Sequence, residues 1–223
     1  MTAHDAMDSL LDRVVRRFRA HILRDPFLLA LQRWHRDRGD ETLRLEFPLA
    51  ADSLVFDVGG FHGAWAHEIH RRYGCRIDIF EPMPRCVQAL RARFAGEAKI
   101  RIFPWALSDS SGPVTFYDCA EGSGAFVRRG AAEIRCEKKD VAEVLAAVGG
   151  DIDLVKINIE GGEYQLLPAL LRNGIERIRC LVIQFHNFIP DAEGRRREIR
   201  ERLSRTHNEQ WCYPFVWESW SRK

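Results

Sequence analysis

From residue 53 onward, short apolar β-rich runs alternate with helical segments, and nothing else in the sequence narrows the fold as much. SLVFDVG (53–59) reads as a strand and HGAWAHEIHRRYG (62–74) as a helix closed by glycine. CRIDIFEP (75–82) is a second strand, PRCVQALRARF (84–94) a second helix and KIRIFPWALSD (99–109) a third strand. Residues 112–137 break the rhythm with the short β segments VTFYDC, SGAFVRR and AEIRCEK. The alternation then resumes: DVAEVLAAVGG as helix, DIDLVKINI as strand, EYQLLPALLRNG as helix and IRCLVIQFHNF as strand. A charged helix over 191–206 and the tail WCYPFVWESW complete the series. Such alternation predicts an α/β fold, a doubly wound and mostly parallel sheet covered on both faces.

Upstream, Asp25-Pro26 reads as a cap with proline in the first turn of a helix running through Leu28, Leu31 and Trp34 toward Gly39. Before it, Met7, Leu10, Leu11, Val14, Val15, Phe18 and Ile22 recur at helical spacing. Residues 1–46 are thus expected to form a helical extension that docks on the main domain, covers its site as a lid, or pairs with a second copy. Residues 47–223 form the main domain. The net charge of +2 is spread along the chain, so no nucleic-acid partner is expected. No apolar run reaches the ~20 residues of a membrane span. The start MTAHDAMDSLLDRVV lacks the basic-then-apolar order of a secretory signal. The six cysteines include no C-x-x-C pair and read as reduced thiols. A cytoplasmic protein is the expectation.

Three segments carry chemistry. Asp57-Val-Gly-Gly-Phe-His-Gly63 lies between the first strand and its helix, where doubly wound folds keep a cofactor loop. Gly59, Gly60 and Gly63 suit a tight turn and a close approach of backbone to ligand. The G-x-G-x-x-G spacing is absent, and Asp57 sets a carboxylate where a pyrophosphate would be repelled and a sulfonium such as S-adenosylmethionine favoured. Glu81, followed by Pro82, ends the second strand 22 residues after Gly59, the place where an acid receives ribose hydroxyls. In DIDLVKINIEGGEY (151–164), Lys156, Asn158 and Glu160 stand two residues apart, so an unbroken strand projects all three from one face. Lys156 is expected to neutralise Asp57 or Glu160, because a charge in mid-strand needs a partner.

These motifs resemble the FkbM-type S-adenosylmethionine-dependent methyltransferases over roughly residues 53–220. The resemblance rests on Phe56-Asp57-Val58-Gly59 with Gly63, on Phe80-Glu81-Pro82, on Ala106-Leu107-Ser108-Asp109, and on Lys156-Ile-Asn-Ile-Glu-Gly-Gly-Glu163. It implies a Rossmann-like, seven-stranded sheet of the class I methyltransferase type. It also implies that Asp57, Gly59 and Glu81 hold S-adenosylmethionine and that Ala106, Leu107 and Ser108 lie beside the adenine. Asn158 and Gln184 stand where the family commonly carries acids. Both replacements remove charge, so no metal site is expected.

Methyl transfer to a hydroxyl needs alignment of the acceptor, exclusion of water and removal of a proton. If strands 151–159 and 179–187 are neighbours, Asn158, Glu160 and His186 converge. His186 is then the expected general base, oriented by Glu160. The acceptor implied by the resemblance is a hydroxyl, foremost that of a sugar in a glycan or glycosylated metabolite. A nicotinamide-dependent oxidoreductase and a catalytically silent cofactor-binding homologue are the alternatives. In the tail, alternation of Trp211, Tyr213, Phe215 and Trp217 reads as one aromatic strand face, mostly core, with Trp217 or Trp220 exposed. Arg195-Arg196-Arg197, set among glutamates, reads as a solvated helix face.

Overall fold

The structure, a computed structural model, describes residues 25–117 and 132–223. The helix expected over 7–24 and the β segment SGAFVRR lie outside them. The described helices are α1 (Pro26–Arg36), α2 (Ala64–Tyr73), α3 (Pro84–Arg93), α4 (Val141–Ala147), α5 (Glu163–Asn173) and α6 (Ala192–Leu203). A seven-stranded sheet contains β1 (Leu54–Val58), β2 (Arg76–Phe80), β3 (Ile100–Phe103), β7 (Ile152–Ile157), β8 (Ile178–Ile183), β9 (His207–Tyr213) and β10 (Trp217–Arg222). Its order is β3-β2-β1-β7-β8-β10-β9. The first five of these run parallel, and β10 and β9 close the edge antiparallel.

The central strands are buried on both faces because helices cover each side. Alternate residues feed two cores. Leu54, Phe56 and Val58 join Val155 and Ile157 under α4, α5 and α6. Val55 joins Leu154, Val182 and residues of α1, α2 and α3 on the other face. The strand order reverses between β1 and β7, so the loops leaving their carboxyl ends diverge and open a crevice.

Two elements differ from the sequence reading. The expected third strand splits into β3 and β4 (Ala106–Ser108), which belong to different sheets. Pro104 has no N–H for a ladder, and Trp105 N–H turns back to the Phe103 carbonyl at 2.9 Å. β4 joins β5 (Gly112–Tyr117) and β6 (Glu133–Asp140) in a small sheet of order β4-β6-β5. The tail is a hairpin rather than one strand. Val216 N–H bonds to the Tyr213 carbonyl at 2.9 Å, with Pro214 and the positive-φ Phe215 (60°) at the corner, the pattern of a type II turn. The hairpin buries both Trp217 and Trp220. Arg196 is drawn inward as well, and with Arg200 it clamps the buried Glu218 of β10.

Asp25 caps α1 through bonds from the Phe27 and Leu28 N–H groups. The helix packs on the edge strand β9, with the Trp34 ring 5.7 Å from Trp211 and 5.2 Å from Tyr213. Trp34 Nε1 donates to Asp40 at 3.0 Å, and the Tyr213 hydroxyl donates to Asp37 at 2.7 Å. The buried indole therefore ties the region before β1 to the last hairpin. Trp34→Ala is expected to lower stability in urea unfolding by about 3–5 kcal/mol. A loss under about 1 kcal/mol would show that α1 is not part of the core.

Candidate active site

A cavity of about 460 Å³ opens at the reversal of strand order. This lies within the ~300–1,000 Å³ typical of small-molecule sites. Val58, Gly59 and Phe61 line it from the exit of β1, Phe80 to Met83 from β2, and Asn158 to Glu160 from β7. The small sheet forms the opposite wall through Ala106, Leu107, Ser108, Val114, Phe116 and Lys138. The insertion that broke the sequence rhythm thus contributes Pro113, Val114 and Phe116 to the site.

Behind the cavity lies a buried ion pair. Register places Asp57 beside Lys156 on the parallel strands β1 and β7, both on the face of Val55 and Leu154. Lys156 Nζ lies 2.9 Å from Asp57 Oδ1 and donates to the Gly59 carbonyl at 2.6 Å. Burial raises the Asp57 carboxyl above its ordinary value, and Lys156 pulls it part of the way back. Asp57 is buried beside the cavity and is not one of the residues that line it. Its Oδ1 pairs with Lys156, which also reaches the Gly59 carbonyl of the glycine turn, and its buried Oδ2 has no hydrogen-bond partner among the described residues. Nor does the strand project Lys156, Asn158 and Glu160 from one face. β7 ends at Ile157, and Glu160 takes a left-handed φ of 51°.

Glu81 is one of two acids that line the cavity, with Glu160. One oxygen accepts the Phe61 N–H at 2.8 Å, and the other accepts the Met83 N–H at 3.0 Å. Burial raises its pKa, against the pull of these two bonds. Each oxygen keeps lone-pair capacity for a further donor. Gly59, at φ 84°, passes so close to β7 that a Cβ there would lie 1.9 Å from the Asn158 carbonyl oxygen. Gly60 and Gly63 pack against Ile79 and Phe94 instead of the cavity. Asn158 Oδ1 is buried and finds no hydrogen-bond partner among the described residues. A buried acceptor left this way costs about 1–3 kcal/mol, which a ligand donor would recover.

Glu160, His186 and Glu163 form a second polar group at the ends of β7 and β8. His186 Nε2 lies 3.5 Å from Glu160, and Nδ1 lies 3.1 Å from the fully buried Glu163. Glu163 also accepts the backbone N–H of His186 at 2.7 Å and that of Gly161 at 2.9 Å. Burial opposes charge on the imidazole. The bonds to Glu160 and Glu163 and their charges outweigh it, so the pKa is pushed up to about 9. Glu160 lines the cavity and His186 stands behind it. Glu163 had no role in the sequence reading. Its signal was its place as first residue of α5, beside the glycine pair that frees the backbone to turn.

Residues 57–209, more than half of the chain, match the Methyltransferase FkbM domain. The chain belongs to that family. No curated protein sequence matches it. Among solved structures it is similar to the methyltransferase FkbM from Methylobacillus flagellatus KT, with TM-score 0.53 and 12% identity. That match covers 78% of this chain but only 44% of the other. It is also similar to the N-methyltransferase NodS from Bradyrhizobium japonicum WM9, with TM-score 0.50 and 14% identity over 85% of this chain and 96% of that one. A putative rRNA-methylase from Clostridium thermocellum aligns at TM-score 0.55 and 8% identity, covering 83% of this chain and 94% of that one. Likeness at such identities establishes the α/β methyltransferase fold and leaves the acceptor open.

In this FkbM domain, Gly59, Glu81, Pro82, Ala106, Leu107, Ser108, Asn158 and Glu160 meet at one cavity. Asp57, Gly60, Gly63 and His186 support it from behind. Lys156→Met leaves Asp57 buried without its partner and should cost about 3–5 kcal/mol in denaturant unfolding. Asp57→Leu combined with Lys156→Met should recover much of that loss; a double variant as unstable as the single would sink the pairing. Because the folded pKa of His186 lies above the unfolded value of 6.5, its contribution is full below 6.5 and fades as pH climbs through about 9. Histidine NMR should place its inflection near 9, and an inflection at or below 7 would leave a neutral imidazole free to act as base.

Proposed function

We propose that this domain binds S-adenosylmethionine in the cavity and methylates a hydroxyl, foremost that of a sugar in a glycan or glycosylated metabolite. The observation that carries the cofactor assignment is Glu81, whose carboxylate is anchored by two backbone N–H groups on the wall of an apolar-sided cavity. The residues present fit the cofactor. Glu81 would receive ribose hydroxyls, and Phe80, Leu107, Val114 and Phe116 would flank the adenine. Gly59 would admit the chain of the nucleoside close to the backbone, and Asn158 Oδ1 would accept a donor it otherwise lacks. The cofactor supplies a sulfonium methyl, an electrophile already activated for displacement.

The protein then has to position the acceptor and take its proton. Glu160 rather than His186 is the proton acceptor in this reading, because Glu160 lines the cavity and two carboxylates beside His186 raise its pKa. His186 orients Glu160, the reverse of the order expected from sequence. Asn158 and Glu160, both in the loop that leaves β7, would bracket the acceptor hydroxyl.

Calorimetric titration with S-adenosylmethionine and with its demethylated product should show binding, weakened at least tenfold by Glu81→Ala. Glu160→Gln should lower methyl transfer to glycosides about a hundredfold, as loss of a general base does, with cofactor affinity within twofold. Absence of binding heat for both nucleosides would end the methyltransferase reading. Binding without transfer to any hydroxyl in a broad panel would instead favour a silent cofactor-binding protein.

A further inference from the structure

The first turn of α5 holds His186 at three points. Glu163 Oε1 accepts the His186 backbone N–H at 2.7 Å and lies 3.1 Å from the ring Nδ1. The Tyr164 hydroxyl donates to the His186 carbonyl at 2.8 Å. Tyr164 is braced in turn by α6, where the Arg195 guanidinium lies 5.1 Å from the ring centroid and donates to the Tyr164 carbonyl at 3.4 Å. Two consecutive side chains thus fix the backbone N–H, the backbone carbonyl and a ring nitrogen of one residue. Filling space at a strand end does not require such a hold.

Nor does a hold of this kind require a charge. Glu163 is sealed from solvent, and a buried carboxylate is unfavourable unless donors and an opposite charge surround it. Its donors are the Gly161 and His186 N–H groups, and its place as first residue of α5 favours an anion. Among the described residues, His186 is the one side chain that forms an ion pair with it. A glutamine would offer a single acceptor oxygen to these donors and no charge to the imidazole.

On the far side of the ring, Nε2 lies 3.5 Å from Glu160. That separation is an ion pair and longer than a good hydrogen bond, so both oxygens of Glu160 keep lone pairs for a ligand. Glu160 needs a restraint from outside. It stands in a loop at a left-handed φ of 51°, and its long side chain has many rotamers to lose. Among the described residues, His186 makes the one side-chain contact to its carboxylate. Gly161, at φ 98°, lets the chain reverse within Glu-Gly-Gly-Glu (160–163). Carboxylates three positions apart thereby reach opposite nitrogens of one imidazole.

Building on the methyltransferase reading, in which Glu160 takes the acceptor proton, we infer that Glu163 and Tyr164 are positioning residues for that step. Through His186 they fix the direction in which the Glu160 carboxylate faces the cavity. Neither of them lines the cavity, and neither exchanges a proton in the reaction. The pKa of His186, pushed up to about 9, agrees with a ring that has a carboxylate at each nitrogen.

The test sets kcat for methyl transfer to a panel of hydroxyl acceptors against cofactor affinity from calorimetry. The variants are Glu163→Gln, His186→Asn, their double variant and Tyr164→Phe. Glu163→Gln and His186→Asn should each lower kcat about ten- to a hundredfold, with the affinity for S-adenosylmethionine within twofold. The double variant should be no slower than the poorer single one, because both act through one contact with Glu160. By histidine NMR, the His186 inflection should fall by about one to two units in Glu163→Gln. Losses that multiply in the double variant, or an unmoved inflection, would reduce Glu163 to a structural role and overturn the inference. Should Glu163→Gln not fold, Tyr164→Phe decides: kcat should fall about threefold at unchanged cofactor affinity, and wild-type kcat overturns the inference. A protein that binds the cofactor and methylates no hydroxyl leaves Glu160 no proton to accept, and overturns it too. Absence of cofactor binding in the wild type would instead sink the methyltransferase reading itself.

Discussion

Two opposite charges sit inside the sheet where its strand order reverses, and the site is built around them. Asp57 and Lys156 are registered neighbours on β1 and β7, each nearly sealed from solvent. Taking two ions out of water costs several kcal/mol apiece, and an apolar pair of similar volume would be at least as stable. What the pair provides is position. The ammonium reaches past Asp57 to the Gly59 carbonyl and lies 6.0 Å from the Trp65 ring, so its donors are directed on three sides. The glycine turn, the end of β1 and the end of β7 are thereby fixed relative to one another.

That arrangement leaves little room for other backbones. The exit of β7 passes so near Gly59 that any side chain there would strike the Asn158 carbonyl oxygen. Glu160 and Phe61, the residues that turn away from the crowded exits, are held at left-handed φ. Strain, close approach and buried charge thus collect at the carboxyl ends of β1 and β7. Glu81 and Glu163 stabilise the result by a shared device. Each carboxylate accepts two backbone N–H groups, Glu81 across the first crevice loop and Glu163 across the second. The two loops that bound the cavity are therefore fastened by acids that belong to the elements beside them.

Much of this was legible in the residues. The strand and helix alternation gave the parallel sheet because fully buried strands and amphipathic helices leave distinct patterns over short windows. Lys156 could be read as a partner for Asp57, since a lysine in an apolar strand demands one. Pro104 and the Tyr213-Pro214 corner were weaker marks. Both break strands that look continuous in composition, and the sequence reading passed over them. The aromatic tail looked like one face of a strand because alternation survives a tight turn in the text of a sequence, though not in space.

The side chains needing a local environment were set by the sequence alone: glycine where backbones nearly touch, acids at strand ends, apolar residues at the periods of helix and strand. Which strand-end acid lines the cavity was decided in three dimensions. Asp57 and Glu81 look equivalent as strand-end carboxylates, but register gives Asp57 a lysine and turns Glu81 to the cavity. The raised pKa of His186 arises the same way, by folding two carboxylates against one imidazole. Ionisation depends on burial and on the nearest opposite charge, and both are properties of packing that a linear order of residues does not contain.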